Sequence, residues 1–120
     1  MKIRKATLKD AKQISQVLVS SYNVNSIEEG IQVFTNELKK DYRYLVSDED
    51  SKIIGIVTWQ MHGLPKHQLC ELDRIAVLPE FRGKGIAERL FNSLIEDANK
   101  EYKKFGFKYG RSSTLASASQ

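Results

Sequence analysis

Cysteine is almost absent from this chain of 120 residues: the single Cys70 can close no disulfide within it, and no second Cys exists to form a zinc-ligand pair with it. Neither a disulfide framework nor a zinc staple is therefore available to hold the fold. Proline and glycine are also scarce, at 2 and 7 residues, which excludes a collagenous or low-complexity chain. Long apolar runs are missing as well. The longest, Ile53 to Trp59, is interrupted by Gly55 and Thr58 and falls far short of the ~20 residues that span a bilayer. The basic start Met1 to Lys5 leads into Thr7 to Asp10 instead of an apolar core with a cleavage site, which argues against a secretory signal. With 41% hydrophobic and 28% charged residues, the chain reads as one globular, cytoplasmic, metal-free domain over 1–120. Its net charge of +4 suits any polyanionic ligand, from a nucleotide cofactor to RNA, without choosing among them.

What is present is periodicity, and it changes twice along the chain. Lys2 to Ala6 alternates like a short strand, and Thr7 with Asp10 three residues on predicts a capped helix carrying Ile14, Val17 and Leu18 on one face. Ser26 and Glu29 repeat the capping pattern before Ile31, Phe34 and Leu38, predicting a second helix to about Lys40. Tyr42 to Val46 and Ile53 to Trp59 read as a hairpin around a polar turn at Ser47 to Ser51, and Leu69 to Leu78 as a further strand stopped by Pro79. From Lys84 the period becomes helical, with Ile86, Leu90, Leu94 and Ala98 on one line, and the helix is expected to run through Tyr102 and Phe105 to Gly106. The remainder, 108–120, has four Ser and a lone Leu115, the composition of a weak strand or a disordered tail.

The chemistry concentrates where that last strand turns into the helix. In Ile75-Ala76-Val77-Leu78-Pro79-Glu80-Phe81-Arg82-Gly83-Lys84-Gly85-Ile86-Ala87, glycines let backbone N–H groups approach a ligand, and a helix N-terminus adds about half a positive charge. Arg82 and Lys84 contribute full charges, so the segment favours a phosphate or pyrophosphate. A plain strand-to-helix turn with surface cations is the alternative. A P-loop requires G-x-x-x-x-G-K-[ST] and a dinucleotide fingerprint G-x-G-x-x-G; the chain has neither.

The pattern [QR]-x-x-G-x-[GA], met by Arg82, Gly85 and Ala87 directly after a hydrophobic strand, resembles that of the GNAT superfamily of acyl-coenzyme-A-dependent N-acetyltransferases. The resemblance extends to the arrangement of residues 1–107 and is detailed over 69–98. It implies an α/β (α+β) fold, a mostly antiparallel sheet flanked by helices in the order β-α-α-β-β-β-α, shortened at the C-terminus. It also implies acetyl-CoA as cosubstrate, with the backbone of Gly83, Lys84, Gly85, Ile86 and Ala87 on the pyrophosphate beside Arg82. Ile75, Ala76 and Val77 would pair with the pantetheine arm like an added strand, the thioester carbonyl pointing at the N–H near Val77.

Amide formation from a thioester needs a neutral amine, hence a base, and an acid can return a proton to the departing thiolate. Base candidates are Glu71, Asp73, His62 and His67, with Glu71 foremost because the family often carries an acid on that strand; simple alternation sets it on one face with Asp73 and Ile75. Cys70 is expected to be buried and to take no covalent part. Ala98 to Phe107 also resembles the family's later A-x-x-x-Y-x-K-x-G-F signature, which would make Tyr102 the acid, although the same residues suit one uninterrupted helix.

On that second reading Ser113 to Ser119 stands where the family's next strand belongs, Leu90, Leu94 or their neighbours are left partly uncovered and the sheet is open beside the strand at Ile75 to Leu78, so a homodimer is expected. The resemblance implies an acceptor amine on a small molecule or a peptide. Two other functions are weighed: a shortened CoA-binding or assembly module that no longer catalyses, and a nucleic-acid binder. The latter is disfavoured because basic residues alternate with acids on every predicted helix and no aromatic-basic RNA-binding signature occurs.

Overall fold

A computed structural model describes residues 1–62, 69–101 and 106–108. Five strands form one sheet in chain order: β1 (Lys2–Lys5), β2 (Arg43–Glu49), β3 (Lys52–His62), β4 (Leu69–Val77) and β5 (Gly106–Lys108). The first four run antiparallel to their neighbours, and β5 lies parallel to β4. Helices α1 (Ala11–Ser21) and α2 (Ile27–Lys39) cover one face and α3 (Ile86–Glu101) the other.

Local chemistry accounts for these boundaries. Asp10 Oδ2 accepts from the Thr7 N–H at 2.7 Å, which satisfies the start of the turn that leads into α1. Ser26 Oγ accepts from Glu29 N–H at 3.1 Å at the start of α2. The β2–β3 hairpin turns on Asp50 and Ser51, whose φ values of 50° and 72° are those of a two-residue loop with both centres left-handed. That turn is tighter than the expected one, so β2 continues through Ser47 to Glu49, with a bulge at Ser47/Asp48.

Both faces of the sheet are packed. Ile14, Leu18 and Phe34 from α1 and α2 meet Val46, Ile53 and Ile56, and the Phe34 and Tyr44 rings pack edge to face at 4.9 Å. On the other face Leu90 and Leu94 of α3 meet Leu45, Val57, Trp59, Leu72 and Ile75. Each such side chain contributes about 1.5–3 kcal/mol on burial. The two helices α1 and α2 approach closely at Gly30, where an added Cβ would fall 2.0 Å from Ser15 Oγ. At the sheet edge Arg4 clamps β1 to its surroundings: its guanidinium holds both carboxylate oxygens of Asp10 at 2.9 Å and Asp48 Oδ2 at 3.0 Å. That pairing holds the Asp10 carboxyl below its ordinary range.

Three expectations are corrected. The helix is described over Ile86–Glu101, its expected run through Tyr102 and Phe105 lying outside the described residues, and Gly106 opens a strand rather than capping a helix. A strand after the long helix therefore comes at Gly106–Lys108 and pairs with Leu69–Glu71 of β4, while Ser113 to Ser119 lie outside the described residues. Finally, Leu90 and Leu94 are fully buried within the chain, because the sheet itself covers them, and only their neighbours Phe91 and Ile95 are partly exposed. No helix among the described residues is long and apolar enough to cross a membrane.

Candidate active site

The register of β3 against β4 decides which backbone groups of β4 can meet a ligand. Leu78 N–H donates to the Ile54 carbonyl at 2.8 Å, so by the two-residue alternation of an antiparallel ladder Ala76 also turns its N–H and C=O toward β3. Ile75 and Val77 turn theirs to the opposite edge. The expected trio thus separates into two outward residues and an inward one, Ala76, whose methyl packs toward α1 and α2.

That outward edge is met by β5 at Leu69–Glu71 and by side chains further along. The Tyr22 hydroxyl accepts from the Ile75 N–H at 3.2 Å and donates to the Ile75 C=O at 3.1 Å. Arg82 Nε donates to the Val77 C=O at 2.9 Å, and its Nη2 to Ser21 Oγ at 3.1 Å. The guanidinium expected beside a phosphate is therefore engaged by the β4 edge and the end of α1, where it braces the turn.

The turn itself has the shape its sequence promised. Pro79–Phe81 forms a single tight turn, and Gly83 and Gly85 take φ values of 79° and 78°, left-handed conformations that L side chains rarely adopt. The bond from Arg89 N–H to Gly85 O at 3.1 Å belongs to the first turn of α3. The N–H groups of Ile86, Ala87 and Glu88 thus precede the helix's own acceptors. A Cβ added at Gly83 or Gly85 would meet nothing within 4 Å, so the backbone there faces open space. Ile86 and Ala87 bury their side chains against the sheet, which leaves only their N–H groups for a ligand. Lys84 Nζ and Lys52 Nζ lie 5.4 and 5.5 Å from the centre of the Phe81 ring, gathering two cations beside the turn. An outward strand edge, left-handed glycines and unpaired helix N–H groups follow one another as a pantetheine arm and pyrophosphate require, so these residues fit that group.

The carboxylates are arranged differently from simple alternation. Register shifts at Thr58/Trp59, where Thr58 faces Arg74 and Trp59 faces Leu72, leaving Asp73 as an extra residue on β4. Cys70 and Leu72 pack on the α3 face, and so do Ile75 and Val77, so the odd–even order reverses at Asp73. Glu71 consequently lies on the face of α1 and α2, not on that of the Ile75 side chain. It is half-buried, with Gln60 Nε2 at 3.5 Å from Oε1. Asp73 is 7% exposed, and its Oδ2 lies 3.4 Å from Arg74 Nη1.

Sequence reasoning missed three participants: Tyr22, Glu37 and Tyr44. Glu37 grips Arg74 with both oxygens, at 2.7 Å for Oε1 to Nη1, and the Tyr44 hydroxyl donates to the same carboxylate. Burial opposes the charge on Arg74, but the Glu37 bond and the charges of Glu37, Tyr44 and Asp73 together outweigh it and hold the guanidinium protonated beyond its usual range. Burial and the adjacent Glu37 push the Tyr44 phenol up. Arg74 in turn sits 6.0 Å from the centre of the Tyr22 ring. The available signal was the spacing of Glu37 three residues beyond Phe34 on the buried stripe of α2. Of the other candidates, His62 ends β3, while His67 and Tyr102 lie outside the described residues. Cys70 is buried, which pushes its thiol up to about 12 and removes it as a nucleophile near neutral pH. Among the described residues no group of three or more His, Cys, Asp or Glu could hold a metal ion. A cavity of about 350 Å³ beside Leu38, Tyr44, Trp59 and Asp97 shares no residue with the edge or the turn.

The model of the acetyltransferase (GNAT) family matches residues 11–109. The chain belongs to the GNAT acetyltransferase family. No curated protein matches it by sequence. Among solved structures it is similar to a ribosomal-protein-alanine N-acetyltransferase from Brucella melitensis biovar Abortus 2308, at 23% identity and a TM-score of 0.72 over 92% of this chain and 81% of that one. A second GNAT acetyltransferase from Brucella melitensis, solved in complex with acetyl-CoA, gives 23% identity and a TM-score of 0.68 over 84% and 70%. The PaiA N-acetyltransferase from Thermoplasma acidophilum, in complex with coenzyme A, gives 23% and 0.67 over 83% and 72%. These likenesses establish the GNAT fold for the β-α-α-β-β-β-α core, to which β5 is added.

Proposed function

We propose that this chain transfers an acetyl group from acetyl-CoA to a primary amine by direct attack, with both substrates bound together. The observation that carries this reading is the continuity of the outward β4 edge with the Gly83–Gly85 turn and the start of α3, in a chain of the acetyltransferase family. When bound, acetyl-CoA supplies the activated acyl group. The chain's own residues bind and orient it: Ile75 and Val77 through their outward backbone groups, and Gly83 to Ala87 through N–H groups at the helix start. Lys84 adds charge next to the phosphates, and Arg82 braces the turn through Val77 and Ser21.

Glu71 is the proposed base, removing a proton from the incoming ammonium directly or through water. It lies on the α1/α2 face, where the acceptor would approach the strand. Tyr102 is kept as the proposed acid for the thiolate. The acceptor is an amine of a small molecule or peptide, and nothing in α1 or α2 selects among peptide N-termini, lysines and polyamines. A panel of such amines assayed for CoA release tests the proposal: release with at least one class supports it. CoA binding without release from any class would favour a binding module that has lost catalysis.

A further inference from the structure

The four backbone groups that Ile75 and Val77 turn outward are the ones an extended amide ligand would pair with, yet three of them already carry hydrogen bonds. Tyr22 takes the N–H and the C=O of Ile75, and Arg82 takes the C=O of Val77. A hydroxyl that donates to the carbonyl and accepts from the N–H of one residue performs the task of a paired strand residue, which exchanges the same two bonds. Two features keep it there. Tyr22 caps the end of α1 in an extended conformation, its own N–H bonded to the Leu18 carbonyl at 2.8 Å, so the ring projects from a fixed helix end. Its ring also lies beside Arg74, which is locked by Glu37, itself bonded by Tyr44.

We propose that Tyr22 is an internal competitor for the cofactor edge: its hydroxyl occupies the Ile75 backbone in the ligand-free chain, and the pantetheine arm binds by displacing it. The inference rests on the acetyl-CoA reading above. Tyr22 is thereby a residue that sets cofactor affinity, and displacement of its hydroxyl links arm binding to the end of α1, the acceptor-side helix. Ser21, bonded to Arg82, ties the same helix end to the phosphate turn.

Competition has an unusual sign, because removing the hydroxyl should improve binding. Tyr22→Phe keeps the ring beside Arg74 and deletes the hydroxyl that makes the two bonds to Ile75. Since each such bond contributes a modest net stabilisation, the variant should bind coenzyme A and pantetheine about tenfold more tightly than the wild type by calorimetry. Binding of 3′,5′-ADP, which lacks the arm, should not change. Hydrogen exchange of the ligand-free proteins provides a second measurement: the Ile75 amide should be protected in the wild type and exchange faster in the variant, while the Ala76 amide, bonded to β3, stays protected in both. Equal or weaker binding of coenzyme A by the variant, or an equal gain for 3′,5′-ADP, would overturn the proposal while leaving the cofactor reading in place. Failure of either protein to bind coenzyme A would remove both.

Discussion

The two halves of β4, on either side of Asp73, are built alike in sequence and differently in space. Leu69 to Leu72 lies between strands, with β3 on one side and β5 meeting Leu69–Glu71 on the other. Ile75 to Val77 has β3 on one side and side chains, Tyr22 and Arg82, on the other. Strand bonds are cooperative and long-lived, whereas side-chain bonds to an edge can be exchanged for those of a ligand. Both halves pack side chains into the core, but only the backbone edge of the upper half, Ile75 to Val77, is left to exchange partners with the proposed cofactor; the extra residue between them changes which face each side chain joins.

The largest expected effect breaks the lower half. Leu72→Ala, at a residue 1% exposed and packed under α3, should lower unfolding free energy by about 2–5 kcal/mol in denaturant titration. Coenzyme A affinity of the folded fraction should stay within about twofold, since RT ln 2 is only a few tenths of a kcal/mol. A tenfold loss of affinity would erase the division of the strand. Next comes the turn that continues the upper half. Gly85→Glu sets a carboxylate and a Cβ on a left-handed residue at the helix start, and coenzyme A affinity should fall by at least about 100-fold while circular dichroism remains native-like. Calorimetry showing unaltered binding would disprove the phosphate assignment.

Much of this arrangement was legible beforehand, for local reasons. The caps at Thr7 and Ser26, the alternation of the hairpin strands and the glycines at 83 and 85 act within a few residues, so the order β-α-α-β-β-β-α and the turn could be read directly. What escaped depends on contacts between distant segments. The bulge at Asp73 carries no glycine or proline to mark it, and its effect on the facing of Glu71 appears only once β3 is in register. Tyr22 meets Ile75 across 53 positions and Glu37 meets Arg74 across 37, beyond any periodicity window. Strand β5, at 3 residues, is too short for alternation to declare it.

Glu71 tests the boundary between the halves. Glu71→Gln should reduce turnover by roughly 10²-fold with coenzyme A affinity unchanged, because a base acts on the amine and not on the cofactor. A pH–rate profile identical to that of the wild type would clear Glu71 and direct attention to Asp73. The smallest effect concerns Cys70, in the lower half. With its thiol pushed up to about 12, the thiolate fraction at pH 8 is on the order of 1 in 10⁴, and iodoacetamide should label it far more slowly than a small-molecule thiol. Because a raised folded pKa favours the protonated thiol, the associated stability is present at neutral pH and is lost as pH rises past the unfolded value near 9. Rapid labelling at pH 8 would show that β4 opens below the bulge as readily as above it.

The Arg4 clamp also imposes a schedule on biosynthesis. Its partner Asp48 lies 44 positions further along, and every rung of β1 is completed by a residue of β2. The N-terminal segment thus leaves the ribosome long before the strand that receives it, while α1 and α2 can already pack through Ser15 and Gly30. During translation β1 waits, its pairing groups exposed, through the synthesis of α1 and α2 until β2 emerges, and its Lys2, Arg4 and Lys5 charges discourage association with other nascent chains over that interval.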